Sequence, residues 1–339
     1  MKRFHLTTYH LYSKALSGVK VAILSDVHFS ELVSSARLDS ITEFIRRQLN
    51  FAQPSSADPH RSPSPPSPAI ILIPGDLIDS NNALDDPSER ERLLVWLAEL
   101  SQIAPLFISL GNHEFLREQN GVHIYDFDPT FWQTVDALEN VTVLNNSAAK
   151  FPDQHATSPK AATIAPNLPQ LRLIGLTLPK NYYAEGGRLG HPAEENRATL
   201  LEFLNRPNIR ELLSKKAVFT LVHSPVFLHD QTVLKHFTNT DYLISGHLHG
   251  GLVPPILSEL LPGERGIVAP GKQLFPPHTR HVLKDYSAKL IVTPAVTTFG
   301  KLSKLAKMNA FFPTYLTLLC FTNDQKYLER PYHQHKYML

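Results

Sequence analysis

Five short apolar runs in this chain each stop abruptly on a block of polar residues. Val19-Lys20-Val21-Ala22-Ile23-Leu24 stops at Ser25-Asp26-Val27-His28, and Ala69-Ile70-Ile71-Leu72-Ile73 at Pro74-Gly75-Asp76. Pro105-Leu106-Phe107-Ile108-Ser109-Leu110 stops at Gly111-Asn112-His113-Glu114. Ala217-Val218-Phe219-Thr220-Leu221-Val222 ends at His223, and Tyr242-Leu243-Ile244 runs into Ser245-Gly246-His247-Leu248-His249-Gly250-Gly251. Short runs this rich in β-branched and aliphatic side chains read as strands buried on both faces. Between the first three lie segments with helical spacing. Leu38, Ile41, Phe44, Ile45 and Leu49 make one apolar stripe; Leu93, Leu94, Trp96, Leu97 and Leu100 make another. Strand, helix, strand, helix, strand predicts a parallel βαβαβ sheet. Open α/β sheets place their sites beyond the carboxyl ends of the strands, and all five polar blocks fall there. Taken as extended backbone, Asp26 and His28 project to one side of their strand end, and so do His247 and His249.

The remaining pattern is less regular. Residues 4–15 alternate loosely and predict an edge strand or hairpin. Helical spacing follows over 131–139, over 193–214 with a break near Pro207, and over about 230–237. Strand character returns at Val141–Leu144, Leu171–Leu176, 289–293 and 314–321. Two stretches, 53–68 and 147–170, are rich in Pro, Ser, Ala and Thr with few large apolar groups. Each reads as a flexible insertion in one domain spanning 1–339, because the strand pattern resumes directly after it. Past the last block come Leu252-Val253-Pro254-Pro255-Ile256-Leu257 and Leu260-Leu261-Pro262. Their prolines exclude a regular central element, so a loop is expected there. It either packs on the core or forms an apolar wall beside the site.

The chain has 339 residues, 42% of them hydrophobic, enough for one large core or two small ones. Its net charge of +2, from 33 basic and 31 acidic residues, lends no support to a general polyanion-binding role. The single cysteine, Cys320, lies in an apolar run, so no intrachain disulfide forms, which fits a reducing compartment. The segment Met1–His5 carries charge with no apolar stretch behind it, so no signal peptide is expected. No run approaches the ~20 apolar residues of a spanning helix. The expected location is the cytoplasm, with room for peripheral contact at a membrane surface.

Carboxylates, an amide oxygen and imidazoles are the ligand types suited to Mn²⁺, Fe²⁺ and Zn²⁺. Each block alone is a weak signal: Gly-Asp-Leu is common, and a lone histidine such as His223 is more often structural. All five in order, each ending a strand, form a pattern. It resembles the calcineurin-like metallophosphoesterases, whose motifs run Asp-x-His, Gly-Asp, Gly-Asn-His-Asp/Glu, a lone His, and Gly-His-x-His. The longer forms Ser-Asp-x-His and Gly-His-x-His-Gly-Gly look most like the bacterial subgroup of single-domain phosphohydrolases. Two departures stand out: the Pro/Ser-rich insertions, and Leu252 where many relatives carry Gln, a change bearing on substrate contacts.

The resemblance implies an α/β fold, a layered β-sheet sandwich flanked by helices, holding two divalent metal ions. Mn²⁺ is the first expectation, with Fe or Zn as alternatives. It implies that Asp26, His28 and His249 hold one metal, that Asn112, His223 and His247 hold the other, and that Asp76 bridges them. His113 is then not a ligand but a donor to the leaving oxygen, and Asp79 pairs with it to orient it. A helix N-cap is the plainer reading of Asp79, and Glu114 is read as structural. The implied activity is a dinuclear-metal-dependent phosphohydrolase that cleaves phosphoester or pyrophosphate bonds by in-line attack of metal-bound hydroxide. Its substrate would be a phosphorylated small molecule or a lipid-linked phosphate. Two alternatives stand beside it. An inactive scaffold on the same fold is opposed by the filled ligand positions, and a nuclease by the near-neutral charge.

Overall fold

The apolar runs are strands of two sheets whose inner faces pack together. The computed structural model describes residues 4–50, 67–152, 169–183, 194–253, 265–269, 273–274, 279–283, 288–299, 307, 309, 312–329 and 334–338. In chain order the strands are β1 (Phe4–Tyr12), β2 (Lys20–Ile23), β3 (Ala69–Ile73), β4 (Leu106–Ser109), β5 (Leu116–Gln119), β6 (Val122–Tyr125), β7 (Val141–Leu144), β8 (Ser147–Phe151) and β9 (Leu171–Leu176). They continue with β10 (Ala217–Val222), β11 (Thr240–Ser245), β12 (Val268–Ala269), β13 (Gln273–Leu274), β14 (His281–Leu283), β15 (Lys289–Val292), β16 (Thr314–Thr322) and β17 (Gln334–Met338). One sheet has seven strands in the order β17-β1-β16-β2-β3-β4-β7, the other six in the order β14-β15-β11-β10-β9-β8.

The expected βαβαβ unit is present: β2, β3, β4 and β7 are all parallel. In the second sheet β9, β10, β11 and β15 are parallel as well. Antiparallel pairs, β17 on β1 and β16 on β2 in the first sheet and β14 on β15 and β8 on β9 in the second, make both sheets mixed.

Period-two alternation decides which side chain enters which layer. Along the first sheet Val21, Ile23, Ile70, Leu72 and Phe107 join Leu173, Phe219, Leu221 and Ile244 of the second sheet in one buried cluster. The alternate residues Ala22, Leu24, Ile71, Ile73 and Ile108 pack under α1 (Ser35–Asn50), α2 (Pro87–Ser101) and α3 (Pro129–Asp136), meeting Ile41, Phe44, Trp96 and Leu97. On the far side Ile174, Leu176, Leu243 and Leu290 lie under Leu200, Phe203, Ile209 and Leu213 of the helices Glu194–Leu204 and Pro207–Ser214. Both faces of each central strand are therefore apolar, which is why the runs show no polar alternation. Fully burying one such side chain contributes about 1.5–3 kcal/mol relative to exposure. Two helices start on Asp-Pro: Asp86 caps α2 by accepting from Ser88 N, and Asp128 caps α3 by accepting from Phe131 N, with proline fixing the first turn.

Several expectations are corrected. Residues 4–12 are not an edge strand; β1 lies between β16 and β17, paired on both sides. The stretch 147–170 begins as a sheet strand, since Ser147–Phe151 pairs with β9, its small side chains tolerating the sheet margin. Residues 153–168 and 51–66, and the apolar loop 254–264 with Leu257 and Leu261, lie outside the described residues. Cys320 is buried on β16. Among the described residues no helix is long and apolar enough to cross a membrane.

The sheets meet closely at Gly175 of β9, where an added Cβ would sit 2.4 Å from the Cβ and the carbonyl oxygen of Leu144 on β7. Backbone cannot swing aside as a flexible side chain can. Gly175→Ala should therefore destabilise the fold by about 1–3 kcal/mol, read as a lower urea midpoint at unchanged slope.

Candidate metal centre

Parallel order brings the carboxyl ends of β2, β3 and β4 to one rim of the first sheet, and those of β10 and β11 to one rim of the second. The packed sheets put these rims together, joined where Ser25 bridges to Ala295 and where Val296 N and Thr297 N donate to the carbonyls of Ser25 and Asp26. All five polar blocks thereby converge.

Their backbone is not extended. Asp26, His28, Asp76, His247 and His249 have φ of 53°, 48°, 51°, 65° and 48°, in the left-handed region that non-glycine residues rarely enter. Strain of this kind costs on the order of 1–3 kcal/mol per residue and persists where the surroundings hold it. Here cross-chain hydrogen bonds do so: Asp26 N to Gly75 O (3.3 Å), His28 N to Asp76 O (3.1 Å), and His247 N to Asp26 Oδ1 (3.0 Å). The turn also separates the His-x-His pair, correcting the extended reading. Asp26, His28 and His249 form one cluster and Asp76, His223 and His247 another, each with its donor atoms within 4.8 Å of one another.

Imidazole orientation shows what these clusters can hold. His249 Nδ1 lies 2.6 Å from Thr298 O, His223 Nδ1 3.1 Å from Pro74 O, and His28 Nδ1 3.4 Å from Asp79 Oδ1. Carbonyl oxygens only accept, so Nδ1 of His249 and of His223 carries a proton and Nε2 is the atom turned to the centre. His28 Nε2 and His249 Nε2 then face each other at 3.2 Å, with Asp26 Oδ1 3.3 Å from the latter. Nitrogens that close share a proton or hold a cation between them. Asn112 Oδ1 is also buried here without a hydrogen-bond partner, a neutral oxygen fit for ligation. The donor set fits a pair of divalent cations.

Protons partly stand in for that charge. Burial opposes ionisation of both aspartates, yet His249 and His223 hold Asp26 at about 2, and His223 and His113 keep Asp76 well below the carboxylate range. Burial likewise disfavours a charged His223, but Asp76 (2.9 Å from its Nε2), Asp26 and Glu114 push it up to about 9. His247, buried beside His223, falls to about 3 and is neutral. A cation binding at His223 must displace its proton.

His113 lies at the rim, partly exposed, its Nε2 3.9 Å from Asp76 Oδ2. It also falls within 4.8 Å of donor atoms of His28 and Asp76. Asp79 does reach it, but through the backbone: His113 Nδ1 is 2.5 Å from Asp79 O. The Asp79 carboxylate faces His28 instead, because the turn after Asp76 carries it under that ring.

Glu114 has a larger part than its sequence context suggests. Fully buried, its carboxylate accepts from Gly111 N (2.6 Å), Leu77 N (2.7 Å), Asp76 N (3.1 Å) and Ile78 N (3.3 Å), clamping two blocks together. Burial and the nearby Asp76 push it up to about 7 against the pull of these donors. Gly246 is needed for close approach, since a Cβ there would lie 1.7 Å from Ser25 Oγ, the hydroxyl that donates to Asp26 Oδ2. Tyr183, which no pattern singled out, lays its ring against His247.

A family model, calcineurin-like phosphoesterase, matches residues 19–251, a span containing every block described above. The chain belongs to that family. Two solved structures of 5'-nucleotidases are similar to this family member. The 5'-nucleotidase precursor of Thermus thermophilus shares 15% identity at a TM-score of 0.40, covering 82% of this chain and 48% of its own. The 5'-nucleotidase of Candida albicans shares 11% at 0.41, covering 97% of this chain and 52% of its own. The chain thus spans about half the length of each. No curated protein sequence matches it.

Glu114→Gln leaves one acceptor oxygen where two serve four N–H groups, and turns an amide N–H₂ toward other donors. Because the clamp aligns Asp76, metal affinity should fall about 10- to 100-fold, measured by calorimetric titration of Mn²⁺. Wild-type affinity in the variant would show that the clamp does not set the ligand positions.

Proposed function

We propose that the chain is a dinuclear-metal phosphohydrolase, a reading carried by the adjoining clusters Asp26, His28, His249 and Asp76, His223, His247, whose donor atoms lie within 4.8 Å of one another in each. In this reading Asp26, His28 and His249 would hold one cation, Asn112, His223 and His247 the other, and Asp76 would serve both. When bound, the cations supply positive charge against the phosphoryl oxygens and activation of water. The protein's own groups do the rest. Glu114 holds Asp76 and Gly111 in register. The Asp79 carbonyl fixes His113 Nδ1–H, so Nε2 is the atom turned toward the centre. In the imidazolium form Nε2 gives its proton to the leaving oxygen, a contribution of about 10²–10⁴ in rate.

Finer assignments rest on the sequence: the bacterial single-domain subgroup and Mn²⁺ as the native ion on the resemblance, one domain over 1–339 on the resuming strand pattern, and a cytoplasmic setting on the single cysteine. The substrate class is a phosphorylated small molecule or a lipid-linked phosphate or pyrophosphate. The apolar, proline-rich sequence 252–262 directly after His249 supports the lipid-linked member of that pair.

The decisive assay mixes purified protein and Mn²⁺ with p-nitrophenyl phosphate and its bis-ester. Absence of hydrolysis with every divalent metal tried, across pH, would sink the reading. His113→Ala should keep both metals, measured by elemental analysis, yet lose about 10²–10⁴ in kcat on esters with poor leaving groups. Activated p-nitrophenolate esters should suffer less. Loss of metal instead would make His113 a ligand. Asp76→Asn should be the most damaging ligand change, with less than stoichiometric metal and almost no turnover. Two tightly bound metals in that variant would contradict the bridging role.

A further inference from the structure

The turn after β9 brings a phenol against the centre. Residues Lys180–Tyr183 form a short 3-10 turn that leads with Tyr182 into the core. The Tyr182 hydroxyl is 3.0 Å from Ser224 Oγ and donates to Val226 O at 2.8 Å, tying the turn to the segment that follows His223. Asn196 Nδ2 donates to Tyr182 O at 2.6 Å and fixes the turn from the other side. Tyr183 then packs edge-on against Tyr182, with ring centroids 5.0 Å apart at 86°. Its own ring lies 5.4 Å from His247 at 63° and 6.4 Å from His223 at 49°. Both imidazoles of the second cluster thus share one aromatic neighbour.

The two tyrosines differ in one respect. Tyr182 satisfies its hydroxyl twice, whereas the Tyr183 hydroxyl is buried and has no hydrogen-bond partner among the described residues. A buried donor left unmade costs about 1–3 kcal/mol, while phenylalanine would keep every ring contact at no such cost. The ring that carries this unmade donor lies beside His247 and His223, so a group bound at those imidazoles is the partner at hand. Donors held in place where oxyanion charge gathers are the most effective means of stabilising it.

We infer that Tyr183 is a further catalytic residue, its phenol O–H donating a hydrogen bond to a non-bridging oxygen of a phosphoryl group held beside His223 and His247. The ligand class is a tetrahedral oxyanion, either the phosphoryl group of the substrate or inorganic phosphate. The O–H bond stays intact, so no proton or electron changes hands. The inference rests on the phosphohydrolase reading, and its test reads anion binding apart from turnover.

The variant is Tyr183→Phe in the full chain. Metal content is read by elemental analysis, the melting temperature on metal-free protein, and affinity for inorganic phosphate by calorimetry on Mn²⁺-loaded protein. Expected are unchanged metal content, an equal or higher melting temperature, and phosphate affinity weakened about tenfold or more. Turnover of p-nitrophenyl phosphate should fall about 10- to 100-fold. Wild-type phosphate affinity in the variant overturns the inference. So does loss of metal or of the folded state, because the hydroxyl would then serve the protein and not the anion. If the wild type hydrolyses no phosphoester yet the variant still loses phosphate affinity, the phosphohydrolase reading fails while the anion contact stands. If the wild type turns over and the variant matches it in rate and affinity, only the contact fails.

Discussion

Two carboxylates, Asp26 and Asp76, are buried within reach of the same imidazole, His223, and nothing apolar could replace what they need. Like charges withdrawn from water repel strongly and desolvate at high cost, so the pair demands positive charge at the same spot. Protons on the imidazoles meet that demand in part, which is why His223 is raised and both aspartates are held low. Divalent cations would meet it more fully, displacing those protons from the imidazoles. The rest of the site follows from this constraint. The imidazoles have their outer nitrogens fixed by oxygens, and the carboxylates have theirs fixed by backbone N–H groups and by Ser25.

Holding that arrangement is work for the fold. Five of the ligand-type residues adopt left-handed backbone, a conformation they would leave if the chain around them were free. Two sheets packed through a continuous apolar layer supply the rigidity, and the strand ends are locked by hydrogen bonds running across, not along, the chain. Glu114 is the clearest case. It touches no position where a substrate would sit, yet its two oxygens set the backbone of Asp76 and Gly111 together. A charged group buried for that purpose costs stability in its own right and recovers it through four N–H donors.

Two of the buried polar atoms left without a hydrogen bond among the described residues belong to the centre. Asn112 Oδ1 and the Tyr183 hydroxyl are both buried without hydrogen-bond partners, and both belong to the same rim of the sandwich. Each such atom carries a desolvation cost, which a ligand in the centre would offset.

Much of this was legible in the chain itself. Local pattern reports the strands, because a segment buried on both faces must be apolar throughout, and it reports the polar blocks that end them. The order of those blocks was enough to indicate the family. Other features were decided only by tertiary structure, for a single reason: distance across the chain is set by packing, not by spacing along it. Spacing placed His247 and His249 on one side, but left-handed backbone sent them to different clusters. The resemblance paired Asp79 with His113, and in the fold that contact is made by the Asp79 carbonyl while its carboxylate lies 3.4 Å from His28 Nδ1. Spacing left Tyr183 unmarked, since a tyrosine in a short turn carries no periodic signal until the turn is docked against the second sheet. Sequence thus determined which groups the chain owns and where its strands end; the packing of the two sheets decided which of those groups meet.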